Sequence, residues 1–299
     1  MSSASLAVVI LAHDRPGQLH RLIDALDPFP VFLHVDAGAS APMFAELTAD
    51  LPARVQVLPR LRTGWASAGL AVAELVGYRH ALAATDATHV ALLSGSDYPL
   101  ASTEVITRRL SADLDRSLVS FHDLPYERWG LLRGYDRFLF RQRAWRRHRL
   151  LDPLPRPWPR DIHPAGGSQM KILSRRHADR LVAVLSRRAD LRRYFSTVWI
   201  ADEVLVPSVL TSPFFSPNWA AEVSGVRAPW FMDWGGVGRQ SPRWLQPGDF
   251  DAIATAARED GALFARKFGD DSGALLDRID AELRAKVPTK ATASGAVAR

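Results

Sequence analysis

Short apolar runs alternate with longer amphipathic stretches through the first 120 residues, and this alternation limits the fold more than any other feature. Runs rich in Val, Ile and Leu that end at polar residues are typical of strands buried on both faces. We predict such strands at Leu6–Ala12, Val31–Val35, Val55–Leu58, His89–Leu93 and Leu118–Phe121. Helices are predicted between them at Pro16–Leu26, Ala41–Leu51, Ala66–Ala84 and Ser102–Leu114. Repeated strand–helix–strand units predict an α/β fold, with a Rossmann-like, mostly parallel sheet flanked by helices.

The residues that follow these strands are the first candidates for a binding site. Open parallel sheets bind their ligands at the carboxyl ends of the strands. In this chain that edge carries His13, Asp36 and the segment Ser94–Asp97. We therefore expect the chemistry of the protein at this edge.

The segment 123–165 interrupts the alternation because it is rich in Arg, Trp and Pro. We interpret it as an irregular excursion over the surface. It separates residues 1–122 from residues 166–287, and we take these two parts as halves of one domain. Residues 288–299 are small and polar, so we predict a flexible tail. In the second half we predict a strand at Gly167–Leu173, helices at Ser174–Ser186, Ala201–Leu210 and Ser272–Lys286, and a strand that ends near Asp233-Trp234.

Composition excludes several classes of protein. The chain has 299 residues, of which 47% are hydrophobic, so it can bury a core and is not largely disordered. It contains no cysteine, which excludes disulfides, thiolate metal sites and a cysteine nucleophile. Its apolar runs are much shorter than the ~20 residues of a membrane-spanning helix, and its start lacks the basic region of a signal peptide. We therefore expect a cytoplasmic protein.

Several familiar catalytic motifs are missing from the sequence. No Gly-x-Gly-x-x-Gly follows the first strand, and there is no Walker loop, His-Glu-x-x-His or Gly-x-Ser-x-Gly. Two Asp-x-Asp triplets, Asp113–Asp115 and Asp249–Asp251, have the composition of a divalent-metal site. Neither triplet follows an apolar strand, so we assign both to turns and helix caps.

The net charge of +6 is concentrated in one part of the chain. Nine arginines and only two acids lie between Arg133 and Arg160. Such an excess is typical either of solvated arginines or of contact with an acidic acceptor or a membrane surface. No nucleic-acid-binding module accompanies these arginines, so nucleic acid is not an expected partner.

Three short segments carry side chains suited to catalysis. Asp97 follows a buried strand within Ser-Gly-Ser-Asp, although the same residues are typical of an Asp-stabilised turn. Glu203 lies in Ala-Asp-Glu-Val at the start of a predicted helix, where the helix dipole alone also favours acids. Arg266 and Lys267 lie between two phenylalanines, a pattern shared with basic surface turns.

Together these segments resemble the core-2/I-branching β-1,6-N-acetylglucosaminyltransferases and their relatives, the peptide O-xylosyltransferases, which form glycosyltransferase family 14. The resemblance extends over roughly residues 6–270, and its specificity comes from the common order of many short pieces. These pieces are Ile10–His13, Leu19–Ile23, His34–Asp36, Gly64-Trp65 before Leu70, Leu92–Leu100, Gly166–Ser168, Leu173–Arg175, Asp202-Glu203, Ser212–Phe214, Asp233-Trp234, Ser241-Pro242, Pro247–Phe250 and Phe264–Phe268.

The resemblance implies a GT-A glycosyltransferase fold and inverting transfer of N-acetylglucosamine or xylose from a UDP-sugar to an acceptor hydroxyl. In this reading the first half binds the nucleotide sugar and the second half binds the acceptor. Glu203 would be the general base, and Trp234 would stack against the acceptor sugar. Such relatives work without a metal, so no cofactor is expected. The side chains expected to bind the donor are His13, Asp36, Trp65, Asp97, Arg243, Arg266 and Lys267.

The chain also departs from this family. Xylosyltransferases carry an acid after Gly-Gly-Ser where this chain has Gln169, so its base must be Glu203, as in the branching enzymes. Animal members have a membrane anchor and disulfides, which this sequence lacks. Arg239 is an alternative to Arg243 as a cation for the diphosphate. Two other functions remain open: a catalytically inactive nucleotide-sugar or glycan-binding protein, and a basic surface-binding protein acting through Arg133–Arg160.

Overall fold

A computed structural model of the chain describes residues 3–145, 148–216, 229–236 and 241–285. The predicted flexible tail, 288–299, lies outside these residues, as do Lys286 and Arg239. The strands are β1 (Leu6–Ala12), β2 (Val31–Val35), β3 (Val55–Val57), β4 (His89–Ser94), β5 (Asp97–Pro99), β6 (Leu118–Asp123), β7 (Phe140–Trp145), β8 (His148–Pro155), β9 (Ala165–Ser174), β10 (Trp230–Met232) and β11 (Phe264–Arg266). The helices are α1 (Pro16–Ala25), α2 (Ala41–Leu47), α3 (Ala68–Ala84), α4 (Thr103–Leu110), α5 (Tyr135–Leu139), α6 (Arg175–Arg187), α7 (Ala189–Phe195), α8 (Ala201–Thr211), α9 (Phe250–Arg258) and α10 (Gly273–Ile279).

A six-stranded sheet forms the centre of the molecule, with the strand order β3-β2-β1-β4-β9-β6. The first four of these strands pair in parallel, and β9 runs antiparallel to both of its neighbours. A second sheet has the order β10-β11-β5, and β7 pairs with β8 in a hairpin. The predicted α/β fold with a mostly parallel sheet is confirmed.

Strand β1 contributes side chains to the apolar core on both faces of the sheet. All seven of its residues are buried, because helices cover both faces of the sheet. Leu6, Val8 and Ile10 pack into one apolar cluster, which includes residues of α1, α9 and α10. Ala7 and Val9 pack into a second cluster on the opposite face, with residues of α3, α6 and α8. Alternate side chains of one strand thus contribute to two cores.

The prediction of an irregular excursion at 123–165 is wrong. The segment contains α5 and the β7–β8 hairpin, in which Trp145 pairs with His148. Prolines occur in β8 because this strand has a partner on one side only. On its unpaired side a missing N–H breaks no hydrogen bond of the hairpin. The hairpin is attached to the body by a 2.8 Å hydrogen bond from the Gln142 amide to the Thr197 carbonyl.

In the described residues, no helix has the length and apolar character to cross a membrane.

Candidate active site

The turn after β1 presents His13, Asp14 and Arg15 to solvent at the carboxyl edge of the sheet. The His13 side chain is 73% exposed, with its Nε2 3.5 Å from an oxygen of Asp14. Arg15 has a φ of 57°, in the left-handed region, and immediately precedes helix α1. Its guanidinium pairs with Asp14 and lies 4.3 Å from the centre of the Trp244 ring. Sequence reasoning missed Arg15, although it adjoins the predicted edge.

Asp36 follows β2, as predicted, and uses both carboxylate oxygens within the protein. One oxygen accepts a hydrogen bond from the Gly38 amide, and the other accepts from the Thr63 amide at 2.8 Å and from the Thr63 hydroxyl. Burial opposes ionisation of this carboxyl, but the hydrogen bonds from Thr63 and Gly38 outweigh it and lower its pKa. Asp36 therefore fixes the loop that leads to Trp65.

Trp65 connects this loop to the start of α8. Its ring meets the edge of the Trp199 ring with 5.3 Å between centroids. The Ile200 amide donates to the Ala66 carbonyl at 3.2 Å, and Ile200 has a φ of 53°. The loop after β3 and the first turn of α8 are thereby held together.

Asp97 and Arg266 face each other across the smaller sheet. They occupy opposed positions of β5 and β11, with 3.6 Å between the Arg266 Nε and an Asp97 oxygen. Asp97 is fully buried and also accepts a hydrogen bond from the Ser94 amide. Burial raises the pKa of Asp97, and the charge of Arg266 opposes this rise only in part. The turn predicted from Ser-Gly-Ser-Asp is thus present, and its carboxylate is directed to a cation.

Lys267 follows Arg266 and adds a second cation. Its Nζ donates to the Ser241 hydroxyl at 2.9 Å and lies 4.8 Å from the centre of the Trp244 ring. Burial, Arg266 and Arg15 together lower the pKa of Lys267. The flanking Phe264 and Phe268 are fully buried and anchor the segment, as predicted. Arg15 and Lys267 therefore lie against Trp244, and together with the neighbouring Arg266 they form a cationic cluster at the strand ends.

Arg243 and Trp234 lie on the loop after β10. The Arg243 guanidinium donates to Asp233 at 2.8 Å and to both oxygens of Asp249, which caps the helical turn before α9. Its two carboxylate partners hold Arg243 in a structural ion-pair network. Trp234 is 42% exposed.

Glu203 lies in the first turn of α8 and has one partner among the described residues. The Arg137 guanidinium, from α5, donates to its Oε2 at 3.0 Å. The Glu203 side chain is 26% exposed, so the carboxylate is accessible from solvent. Arg137 belongs to the segment in which sequence reasoning found no motif.

A buried polar cluster lies beneath Glu203. Asp202 is buried, and burial followed by the charge of Glu203 raises its pKa to about 7. Lys171 of β9 and Glu74 of α3 form an ion pair of 2.8 Å with no exposure to solvent. A charge pair this deep holds β9 and α3 together.

Side chains of these two kinds, a cationic cluster and the accessible Glu203 carboxylate, suit transfer of a group from a phosphorylated carrier to a hydroxyl. Among the described residues, no three His, Asp or Glu side chains come together as a metal ion would require.

The sequence matches a family model described as Core-2/I-Branching enzyme over residues 22–254. A comparison with curated proteins gave no match. The fold is similar to a structure assigned as a glucose-1-phosphate thymidylyltransferase from Bacillus anthracis, at 9% identity and a TM-score of 0.32, over 64% of this chain and 78% of that one. It is also similar to HddC from Yersinia pseudotuberculosis, at 10% identity and a TM-score of 0.29, over 58% of this chain and 79% of that one. Because the family match spans most of the sequence, the chain belongs to the core-2/I-branching enzyme family and is a glycosyltransferase, with a nucleotide-sugar donor and a glycan acceptor.

Proposed function

We propose that the protein is an inverting, metal-independent transferase that moves N-acetylglucosamine or xylose from a UDP-sugar to an acceptor hydroxyl. The observation that carries the proposal is the accessible Glu203 carboxylate on a domain that also gathers Arg15, Arg266 and Lys267 at its strand ends.

Glu203 acts as the general base. It takes the proton of the acceptor hydroxyl while the hydroxyl oxygen forms a bond to the anomeric carbon of the sugar. The bond from that carbon to the diphosphate breaks on the opposite face, and UDP leaves with the electron pair. A carboxylate suits this role because carboxylates are ordinarily ionised at neutral pH and can accept the proton that the hydroxyl loses as the new bond forms.

The cationic cluster stabilises the departing diphosphate. Arg266 and Lys267 supply fixed positive charge where negative charge develops, and Arg15 adds a third cation beside Trp244, the ring that Lys267 also contacts. Two carboxylates lie beside this cluster: Asp14 pairs with Arg15, and Asp97 is fully buried and directed at Arg266. A hard dication prefers several accessible oxygen ligands, so cations of the protein are proposed to replace a metal.

The remaining site residues are assigned around these two groups. His13, Asp36 and Trp65 follow β1, β2 and β3, at the edge where these strands end, which suits contact with the nucleotide. Asp97 acts on the donor through Arg266, and Arg243 acts by fixing the loop that carries Trp234. Trp234 offers an exposed ring for stacking on the acceptor sugar. The cations proposed to bind the diphosphate of the donor come from both halves of the domain: Arg15 lies in residues 1–122, and Arg266 and Lys267 lie in residues 166–287.

A panel of UDP-sugars tests the reaction. Transfer to glycan acceptors and slow hydrolysis of the donor are measured for each, together with the thermal shift that each produces. The Glu203→Gln variant keeps the shape of the side chain and removes the base, so transfer should fall by ~10²–10⁴-fold with unchanged UDP affinity. Gln169→Ala should lower transfer much less. A thermal shift with no turnover for any donor would instead indicate an inactive binding protein.

The hairpin of residues 140–155 supports a second property, contact with an anionic lipid surface. Leu150 and Leu154 are 50% and 70% exposed on a hairpin rich in arginine. Exposed leucines beside cations favour an anionic membrane over a soluble acidic acceptor, because only the membrane can take up both. Arg146 and Arg147 belong to the same sequence but lie outside the described residues.

Vesicle binding tests this contact. Co-sedimentation with vesicles of phosphatidylserine and phosphatidylcholine should exceed that with phosphatidylcholine alone, and salt should weaken it. Leu154→Glu should reduce binding, whereas Val105→Glu, at an exposed apolar site on α4, should not. Equal sedimentation with both kinds of vesicle would contradict the proposal and favour solvated arginines.

A further inference from the structure

The candidate base is held by a residue from the segment that carried no recognised motif. Arg137 donates to Glu203 although the two residues are 66 positions apart in the chain. The Arg137 side chain is 12% exposed and that of Glu203 is 26% exposed, so the guanidinium lies deeper than the carboxylate. The arginine thus supports the base from the protein side.

Arg137 is itself held by a tryptophan. Its guanidinium lies 3.6 Å from the centre of the Trp129 ring, which is close contact for a cation and an aromatic face. The edge of the Trp129 ring also meets His122, with 4.5 Å between ring centroids. Burial and the charge of Arg137 lower the pKa of His122 to about 4, so this imidazole stays neutral beside the arginine at neutral pH.

The glycine motif at the start of β9 makes room for this tryptophan. A Cβ atom on Gly166 would lie 1.9 Å from the Cη2 atom of Trp129. A Cβ on Gly134 would lie 2.6 Å from the Cε3 atom of the same ring, and Gly134 also has a φ of 92°. Two glycines therefore fix the ring, the ring supports the guanidinium, and the guanidinium holds Glu203.

The two oxygens of Glu203 are treated differently. Oε2 accepts from Arg137, whereas Oε1 has no hydrogen-bond partner among the described residues. A guanidinium is a planar, permanently charged donor, so it fixes the orientation of a carboxylate better than a flexible ammonium does. The geometry leaves one oxygen oriented and accessible for a proton.

We propose that Arg137 is a positioning residue for the base, stacked on Trp129 and acting on the reaction only through Glu203. This inference rests on the proposed function, since it requires Glu203 to be the general base. Arg137 transfers no proton. It aligns the carboxylate, and a misplacement of about 1 Å at such a group costs up to ~10²-fold in rate.

A double-mutant cycle between Arg137 and Glu203 tests the inference. Arg137→Gln should lower kcat by about 10- to 100-fold without changing the affinity for UDP or the KM for the donor. Combined with Glu203→Gln, it should cause almost no further loss, because its action requires the carboxylate. Arg137→Lys should recover part of kcat, and guanidinium ions should partly restore the activity of Arg137→Ala.

Arg156→Gln provides a matched control. Arg156 comes from the same segment, stacks on the Tyr194 ring at 4.0 Å and donates to the Thr197 hydroxyl at 2.7 Å, but it does not contact Glu203. We expect it to lower the melting temperature and to leave kcat within about twofold of wild type. If Arg137→Gln does not fold, Arg137→Lys and its combination with Glu203→Gln give the same coupling.

Two results would overturn the inference while leaving the proposed function intact. One is an Arg137→Gln variant with kcat within about twofold of wild type, and the other is a loss that multiplies with that of Glu203→Gln. Failure of the proposed function has a different signature, because Glu203→Gln alone would then retain full transfer.

Discussion

Replacing Gly166 by alanine perturbs the support of the base without touching either Arg137 or Glu203. The new Cβ would lie 1.9 Å from Cη2 and 2.5 Å from Cζ3 of Trp129. The ring must withdraw by roughly 1.5 Å to reach ordinary van der Waals distance. It has little room to do so, since Gly134 lies against the adjacent Cε3 atom of the ring and Arg137 against its face.

The expected cost has two parts. Forcing a methyl group into a filled site destabilises a protein by about 1–3 kcal/mol, so the free energy of unfolding should fall by that amount. Movement of Trp129 also moves the guanidinium stacked on it, and the misplaced Glu203 should lower kcat by about 10- to 100-fold. UDP affinity should not change, because the cationic cluster belongs to other strands.

Urea unfolding, followed by circular dichroism, and initial transfer rates measure both parts. Gly248→Ala is the control, since a Cβ there has no atom within 4 Å. Adding Trp129→Phe to Gly166→Ala removes the clashing outer ring and should restore stability. If Gly166→Ala loses stability but keeps wild-type kcat, Trp129 does not support the base. If it loses neither, the Trp129 ring does not need the space that Gly166 leaves.

Three further outcomes are expected. Lys267→Ala should lower kcat by ~10²–10³-fold and Arg266→Ala by less, with full activity retained in EDTA; turnover lost in EDTA and restored by Mn²⁺ would make Asp97 a metal ligand. Lys171→Met should lower the free energy of unfolding by about 3–5 kcal/mol by leaving Glu74 buried and unpaired, and adding Glu74→Gln should recover most of it, as urea titrations would measure. The unfolded chain binds a proton at His122 more readily than the folded chain does, so the free energy of unfolding should fall as the pH is lowered from 6.5 to 4. His122→Phe should flatten this part of the pH–stability curve.

The main sheet could be predicted because its strands are short apolar runs with abrupt polar ends. The predicted bounds of β1 and β2 coincide with those observed. Helix α2 ends at Leu47, four residues before the prediction, although Leu51 continues its apolar spacing. Asp50, between them, has a φ of 48°, which no helix accommodates. Spacing alone does not reveal such a turn.

The residues of the candidate site also divide into those that the sequence could predict and those that it could not. Asp36, Asp97 and Lys267 could be found because they follow strands or lie in short patterns along the chain. Arg137 could not, since its contact with Glu203 depends on how α5 packs beside α8. Local sequence gives no signal for a contact that tertiary packing alone creates. Arg15 is intermediate, because its neighbours were predicted and only its stacking on Trp244 required the structure.

The two sides of the site are therefore built by different means. On the proposed donor side, backbone bonds set the positions: β11 pairs with β5, and the Phe268 amide donates to the Ser96 carbonyl at 2.9 Å. On the side of the base, side chains stack on one another from Gly166 to Trp129 and Arg137. Side-chain stacking can be altered without moving a strand. Substitutions in residues 123–139 are therefore expected to change the rate of transfer while UDP binding stays the same.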